Sequence, residues 1–224
     1  MSPSDSSSPP QAAKRILAVS IGGLGDTILF SPVLKALRSS YPLAHIELLV
    51  ASQLARIAFT PAKEIDRIFV ANTDYAFLPA KAATLLPFSL RSRLSGGFDV
   101  GVFATGLNPN FISLLRTLAR IRRVYCAPKP PEYETDLSCN ISLARRFEPA
   151  TDEGDIFFPM SGEAFEDSRD HLTRHGIPWD GCNIIAVYPS RDLQHRPRWP
   201  LRKMVEVIRL LKQRGFKGKI VVVG

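Results

Sequence analysis

At 224 residues the chain exceeds a usual single domain but falls short of two full α/β domains, so one whole domain and part of another is the natural division. A composition 45% hydrophobic and 22% charged excludes a disordered chain, and no apolar stretch approaches transmembrane length. The formal charge of +8 calls for an anionic partner. With no basic stripe interleaved with aromatics and no recognised nucleic-acid module, nucleic acid is set aside in favour of a phosphorylated small molecule or an anionic membrane surface.

In chain order, residues 1–13 are a Ser/Pro-rich, solvated tail. Residues 15–20 form an apolar strand, 21–25 a glycine-rich turn and 26–41 a helix. A strand at 45–51, a short helix at 52–59 and a strand at 67–71 follow, then a helical stretch at 76–94 interrupted by Pro79 and Pro87. The next elements are a strand at 98–104, a turn at 105–108, a helix at 109–119, a strand at 122–126 and a proline-rich loop at 128–131.

These apolar runs are continuous rather than alternating, as in strands covered by helices on both faces. The expected fold class is therefore α/β, a doubly wound parallel sheet whose ligands bind beyond the C-terminal ends of the strands. A polar helix at 161–175 closes at Gly176, and Pro178 prevents its continuation. A strand at 183–188, a helix at 200–213 ended by Gly215 and a strand at 219–223 then make one βαβ unit, too short to form a sheet.

The expected organisation is a complete Rossmann-like domain over 14–160, a connecting helix and linker over 161–182, and an incomplete second Rossmann-like domain over 183–224.

Cys126, Cys139 and Cys182 lack Cys-x-x-Cys spacing and fit packing roles in a reducing compartment. His171 and His175 stand at i, i+4 but without the glutamate of an HExxH motif, so they are expected on an exposed helix surface and no metal is expected. Glycines and Asp26 interrupt any signal-like run after Lys14-Arg15, which gives an expected cytoplasmic location.

Three loops carry candidate chemistry. Gly23, Leu24 and Gly25 lie in a turn where a ligand can approach the backbone closely. The turn is no dinucleotide fingerprint, because Ile28 stands where a third glycine is required, and it lacks a Walker lysine. Asp26 then has two readings, a helix N-cap or a general base, and spacing alone favours the cap. Pro32 would kink a helix that starts at Asp26.

The second loop holds Tyr188, Pro189 and Ser190, then Arg191, His195, Arg196 and Arg198 before Trp199-Pro200, a hydroxyl and several cations suited to an anion or to an exposed basic loop. The third holds Thr105, Gly106 and Asn108, which suit sugar hydroxyls or ordinary turn chemistry.

The run from Arg15 through Gly25-Asp26 and Pro32 to Arg38, with Tyr41-Pro42 and residues 45–50, closely resembles the opening of glycosyltransferase family 9, which contains the ADP-heptose:lipopolysaccharide heptosyltransferases. The resemblance continues through residues 64–68, 98–104 and 122–125, and Trp199-Pro200 fits the family's entry to its second domain. Tyr188-Pro189-Ser190 and Pro197 replace the family's His-Pro-Gly and its phosphate-binding lysine, so Arg196 or Arg198 would substitute with forked geometry.

The resemblance implies a GT-B arrangement and metal-independent, inverting transfer of heptose from ADP-heptose to the inner core of lipopolysaccharide, without a cofactor. It raises Asp26 to the base, gives Gly23, Leu24, Gly25, Thr105, Gly106 and Asn108 to the acceptor, and gives Ser190, Arg191, Arg196 and Arg198 to the donor phosphates. The basic surface adds the expectation of a protein peripheral on the inner face of the inner membrane. The family's later Asp-x-Gly-x-x-His segment is not among these residues. The rival expectation is therefore a non-catalytic acceptor-binding or interaction domain of the same fold. A nucleotide-binding oxidoreductase is a second rival, weakened by the failed fingerprint.

Overall fold

The computed structural model describes residues 12–71, 85–128, 135–177, 184–187 and 200–222. It divides into two units, Met1–Met160 and Ser161–Gly224.

In the first unit five parallel strands, β1 (Arg15–Ser20), β2 (His45–Val50), β3 (Arg67–Val70), β4 (Phe98–Phe103) and β5 (Ile121–Cys126), pair in the order β3-β2-β1-β4-β5. Alternate residues of each strand serve opposite faces, and both faces are apolar. Ile16 and Ala18 of β1, Ile46 and Leu48 of β2, and Val100 and Val102 of β4 join one core. Leu17 and Val19, Leu49, and Phe98 and Phe103 of the same strands join the other.

The first face is covered by α1 (Leu24–Leu29), α2 (Ser31–Ser40), α3 (Gln53–Phe59) and α6 (Asp136–Ala144), which contribute Leu34, Phe59 and Leu143. The second is covered by α4 (Leu86–Leu94) and α5 (Pro109–Leu118), through Phe88, Phe111 and Leu115. Gly101 sits midway along β4 on the second face. A Cβ there would stand 2.8 Å from the side chain of Ile121, so Ile121 fills the space that the glycine leaves.

The expected helix over 26–41 is two helices. The first begins at Leu24, two residues early, and a break at Phe30 separates it from the second. Pro32 causes the break: it has no N–H for an i→i−4 bond, and it stands at the start of α2, where none is needed. The amide of Val33 turns instead to the carbonyl of Phe30, at 3.0 Å.

Charged groups gather at the opposite, N-terminal ends of the strands. Glu47, buried in β2, accepts a hydrogen bond from Arg15 at 2.7 Å and has His45 Nε2 at 3.4 Å. Asp66 accepts from the Ile46 amide and from Arg38, both at 2.7 Å. Asp99 accepts from the amides of Lys14 and Arg15.

The second unit holds α7 (Gly162–Arg174), β6 (Ile184–Val187), α8 (Leu201–Gln213) and β7 (Lys219–Val222), with β6 and β7 parallel. Both helices end as the glycines predict. Gly176 and Gly215 take φ of +67° and +84°, and the amides of Ile177 and Phe216 reach back to the carbonyls of Leu172 and Leu211. His171 and His175 are exposed near the end of α7. The tail at 1–11, the first part of the 76–94 stretch, most of the proline-rich loop and the Tyr188–Trp199 segment lie outside the described residues.

Candidate functional site

A doubly wound sheet opens a crevice where neighbouring strands send their helices to opposite faces. Here the chain leaves β1 for α1 on the first face and leaves β4 for α5 on the second. Between those strand ends lies a cleft of ≈ 130 Å³, walled by Ser20, Gly22 and Asp26 on one side, Thr105 and Gly106 on the other, and Asn140 of α6.

Asp26 is the third residue of α1 rather than its cap, because the capping position is Gly23. Its Oδ2 accepts the Gly23 N–H at 2.6 Å, which ties the glycine-rich turn to the helix. Among the described residues Oδ1 has no hydrogen-bond partner, and the half-buried carboxylate forms part of the cleft wall. The cap reading of Asp26 is therefore corrected: the carboxylate steadies the helix start from the third position, by accepting the amide of the capping residue.

Asn140 holds the two walls together. Its Nδ2 donates to the Leu29 carbonyl at 3.2 Å, and its Oδ1 accepts the Thr105 amide at 3.3 Å. The Pro32 break creates the need for the first bond, because the Leu29 carbonyl has lost the helical partner it would otherwise find at Val33. A buried amide bonded to both walls in this way holds them together.

Of the residues expected at the acceptor, Thr105 and Gly106 line this cleft. The Thr105 hydroxyl donates to the Pro128 carbonyl at 3.2 Å, and Gly106 takes a φ of +76° that a side chain would strain. Asn108 caps α5, accepting the Asn110 amide at 2.8 Å, and borders a neighbouring hollow of ≈ 450 Å³ with Leu107, Ile112 and Cys126. Gly23, Leu24 and Gly25 do not line the cleft: Gly23 is the cap position, Leu24 packs against the core, and Gly22 is the loop glycine in the wall. Burial pushes the Cys126 thiol up to about 11, against the opposing pull of Arg146, which suits a packing role.

Sequence reasoning missed α6 and with it Asn140 and Asp136, both of which line the cleft. The available signal was Thr135-Asp136, a capping residue followed by a first-turn acid, and Thr135 does cap the helix by accepting the Ser138 amide at 3.2 Å. Ser190, Arg191, Arg196 and Arg198 lie outside the described residues. Among the described residues no three His, Cys, Asp or Glu side chains gather as metal ligands would.

Strand order, two covered faces and a cleft at the switch point define a Rossmann-like α/β unit, the fold also found in GT-B glycosyltransferases. Solved structures place the likeness more narrowly. A glycosyltransferase of family 9 from Veillonella parvula superposes with a TM-score of 0.74 at 17% identity, over 97% of this chain and 64% of its own. The ADP-heptose lipopolysaccharide heptosyltransferase II of E. coli gives 0.61 at 15%, over 94% of this chain and 64% of its own. An E. coli heptosyltransferase solved with ADP-2-deoxy-2-fluoro heptose gives 0.54 at 16%, over 94% and 69%. The chain thus spans about 64% of the length of the first two. No protein-family model and no curated protein matches the sequence.

Proposed function

We propose that this chain carries the acceptor side of a glycosyltransferase that moves a heptose from ADP-heptose to the inner core of lipopolysaccharide, by inverting transfer without a metal. The observation that carries the reading is Asp26, a carboxylate on the wall of the switch-point cleft with one oxygen uncommitted among the described residues. The fold likeness to family 9 glycosyltransferases and ADP-heptose enzymes supports the choice of reaction.

In this mechanism the acceptor hydroxyl donates its hydrogen bond to Asp26. As its oxygen attacks the anomeric carbon, the proton passes to the carboxylate, and the bond to the diphosphate breaks on the opposite face, inverting the centre. Thr105 and Gly106 border the acceptor, and Asn140 ties the two walls together. Ser190, Arg191, Arg196 and Arg198 belong to the proposal as the group that stabilises the departing diphosphate, with arginine forks supplying the positive charge. Residues 14–160 then form the acceptor-side domain and 183–224 the beginning of the donor side, joined by 161–182.

Catalysis is assigned to the cytoplasmic face of the inner membrane, where basic surface would meet anionic headgroups. No helix among the described residues is long and apolar enough to cross a membrane.

The test is transfer of labelled heptose from ADP-heptose to heptose-deficient lipopolysaccharide core, by the wild type and by Asp26→Asn. Transfer by the wild type that the substitution abolishes supports the assignment. A folded chain that binds the core but transfers nothing moves the protein to the rival reading, a non-catalytic acceptor-binding domain.

A further inference from the structure

A helix that covers a sheet needs one apolar side, and α4 has two. Phe88, Ser89 and Ser92 are buried on the sheet side, where Phe88 meets Phe69 of β3 and Phe98 of β4 at ring-centroid distances of 5.1 and 6.2 Å. Leu86, Leu90 and Leu94 recur every fourth residue along the outward side and are 60%, 63% and 81% exposed. Leucines left this far in water add little to folding. Packing on the sheet therefore accounts for one side of α4 and not for the other.

Arginines stand on both flanks of this leucine stripe. The Arg91 guanidinium lies over the ring of Phe69, 5.1 Å from its centroid, on the β3 side, and Arg93 Nε donates to the Leu118 carbonyl at 3.3 Å, on the α5 side. Arg116 in the last turn of α5 and Arg120 just beyond it are exposed as well. In sequence the only acids from residue 72 to 128 are Asp74 and Asp99, against Lys81, Arg91, Arg93, Arg116, Arg120, Arg122 and Arg123. Asp99 is engaged by Arg122 and by the amides of Lys14 and Arg15. The first face differs: Leu54 and Ile57 of α3 are exposed there too, but its cations Arg56, Lys35 and Lys63 share their hollows with Asp66, Glu64 and Asp155.

We propose that the outward side of α4 is the surface by which this protein docks on an anionic bilayer, with Leu86, Leu90 and Leu94 among the acyl chains and Arg91 and Arg93 on the headgroup phosphates to either side. A bilayer offers apolar chains bordered all round by phosphate, which matches a ridge of leucine bordered on both flanks by arginine. A guanidinium also grips a phosphate through two hydrogen bonds at once. No α4 residue is in the wall of the switch-point cleft, so docking by this helix leaves that wall untouched. The proposal gives the membrane contact of the reading above its surface, and rests on that reading only in taking the protein to work beside a membrane.

Co-sedimentation of the full chain with vesicles tests this without donor or acceptor. Vesicles of phosphatidylethanolamine with phosphatidylglycerol are compared with vesicles of phosphatidylcholine alone. The wild type is expected to bind the anionic vesicles at least about tenfold more tightly than the neutral ones, by a margin that shrinks as salt rises. Leu86→Ser, Leu90→Ser and Leu94→Ser combined should weaken binding to the anionic vesicles at least about tenfold, and Arg91→Gln with Arg93→Gln should do so about tenfold. Leu54→Ser with Ile57→Ser, on the opposite face, should change it by less than about twofold. All these side chains are exposed, so each variant should unfold at the wild-type temperature. Equal binding to both vesicle types, binding to neither, α4 variants that bind like wild type, or α3 variants that weaken binding as much would each overturn the proposal. So would a wild-type dimer in analytical ultracentrifugation that the α4 serine variant dissociates, because a second copy would then cover the stripe. Since no heptose is transferred, failure of the transfer assay leaves a positive result standing, and the reverse also holds.

Discussion

Asp26 and Gly23 are joined by a hydrogen bond of 2.6 Å from the glycine amide to Oδ2 of the carboxylate, on a side chain that lines the cleft. An asparagine in place of the acid keeps an acceptor for that amide but loses its basicity. Asp26→Asn should therefore leave the thermal unfolding midpoint where it is and lower heptosyl transfer by about 10²- to 10⁴-fold. Turnover within a factor of two of wild type, measured on folded protein, would remove Asp26 from the mechanism.

Asn140 is the structural counterpart. Asn140→Ala strands the Leu29 carbonyl and the Thr105 amide, and the expected cost is about 2 kcal/mol in chemical denaturation. Asn140→Asp should cost as much, because its carboxylate cannot donate to Leu29. Both variants should also lower heptosyl transfer, since the walls they release carry Asp26 and Thr105. Wild-type stability in both would mean that the bridge does not hold the cleft.

Asp66 predicts an acid limit to stability. Burial works to raise its pKa, but the Ile46 amide, the Arg38 hydrogen bond and the Arg38 charge outweigh that, with His45 adding to them, and hold the carboxyl below the usual carboxylate range. A depressed folded-state pKa contributes stability above the unfolded value of about 4, and this is lost as pH falls through the folded value. Unfolding free energy measured from pH 6 downward should therefore decline less steeply in Asp66→Asn than in wild type below about pH 4. Parallel curves would show that Asp66 is not a source of the acid sensitivity.

Gly96 and Gly97 stand side by side with φ of +86° and +84°, yet they should respond differently to alanine. At Gly96 a Cβ meets open space, so Gly96→Ala costs only the left-handed backbone, about 1 kcal/mol. At Gly97 a Cβ would lie 2.6 Å from the Arg120 carbonyl, part of the turn leading into β5, and the expected loss is about 3 kcal/mol. Equal losses at the two positions would show that the turn at Arg120 yields.

The strands were legible because each is a short continuous apolar run, and 15–20, 45–51, 67–71 and 98–104 all match within a residue. The helix ends at Gly176 and Gly215 were legible for an equally local reason, since a left-handed residue closing a helix favours glycine. Helix α6 was not. It buries Cys139, Asn140, Ile141, Leu143 and Ala144, so its sequence carries little of the polar–apolar alternation that marks a surface helix. A polar Asn140 among those residues gives no sign in sequence that both ends of its amide are used.

By itself the sequence determined the α/β class, the alternation of strands and helices, and a Gly-Asp turn after the first strand, because each depends on residues a few positions apart. Only the tertiary structure decided that β1 and β4 are neighbours, that Asp26 is the third residue of its helix, and that Asn140 and Asp136, more than a hundred residues later, share its cleft. Those relations are made across the sheet by packing of both faces and by hydrogen bonds between distant segments, which leave no local period to read.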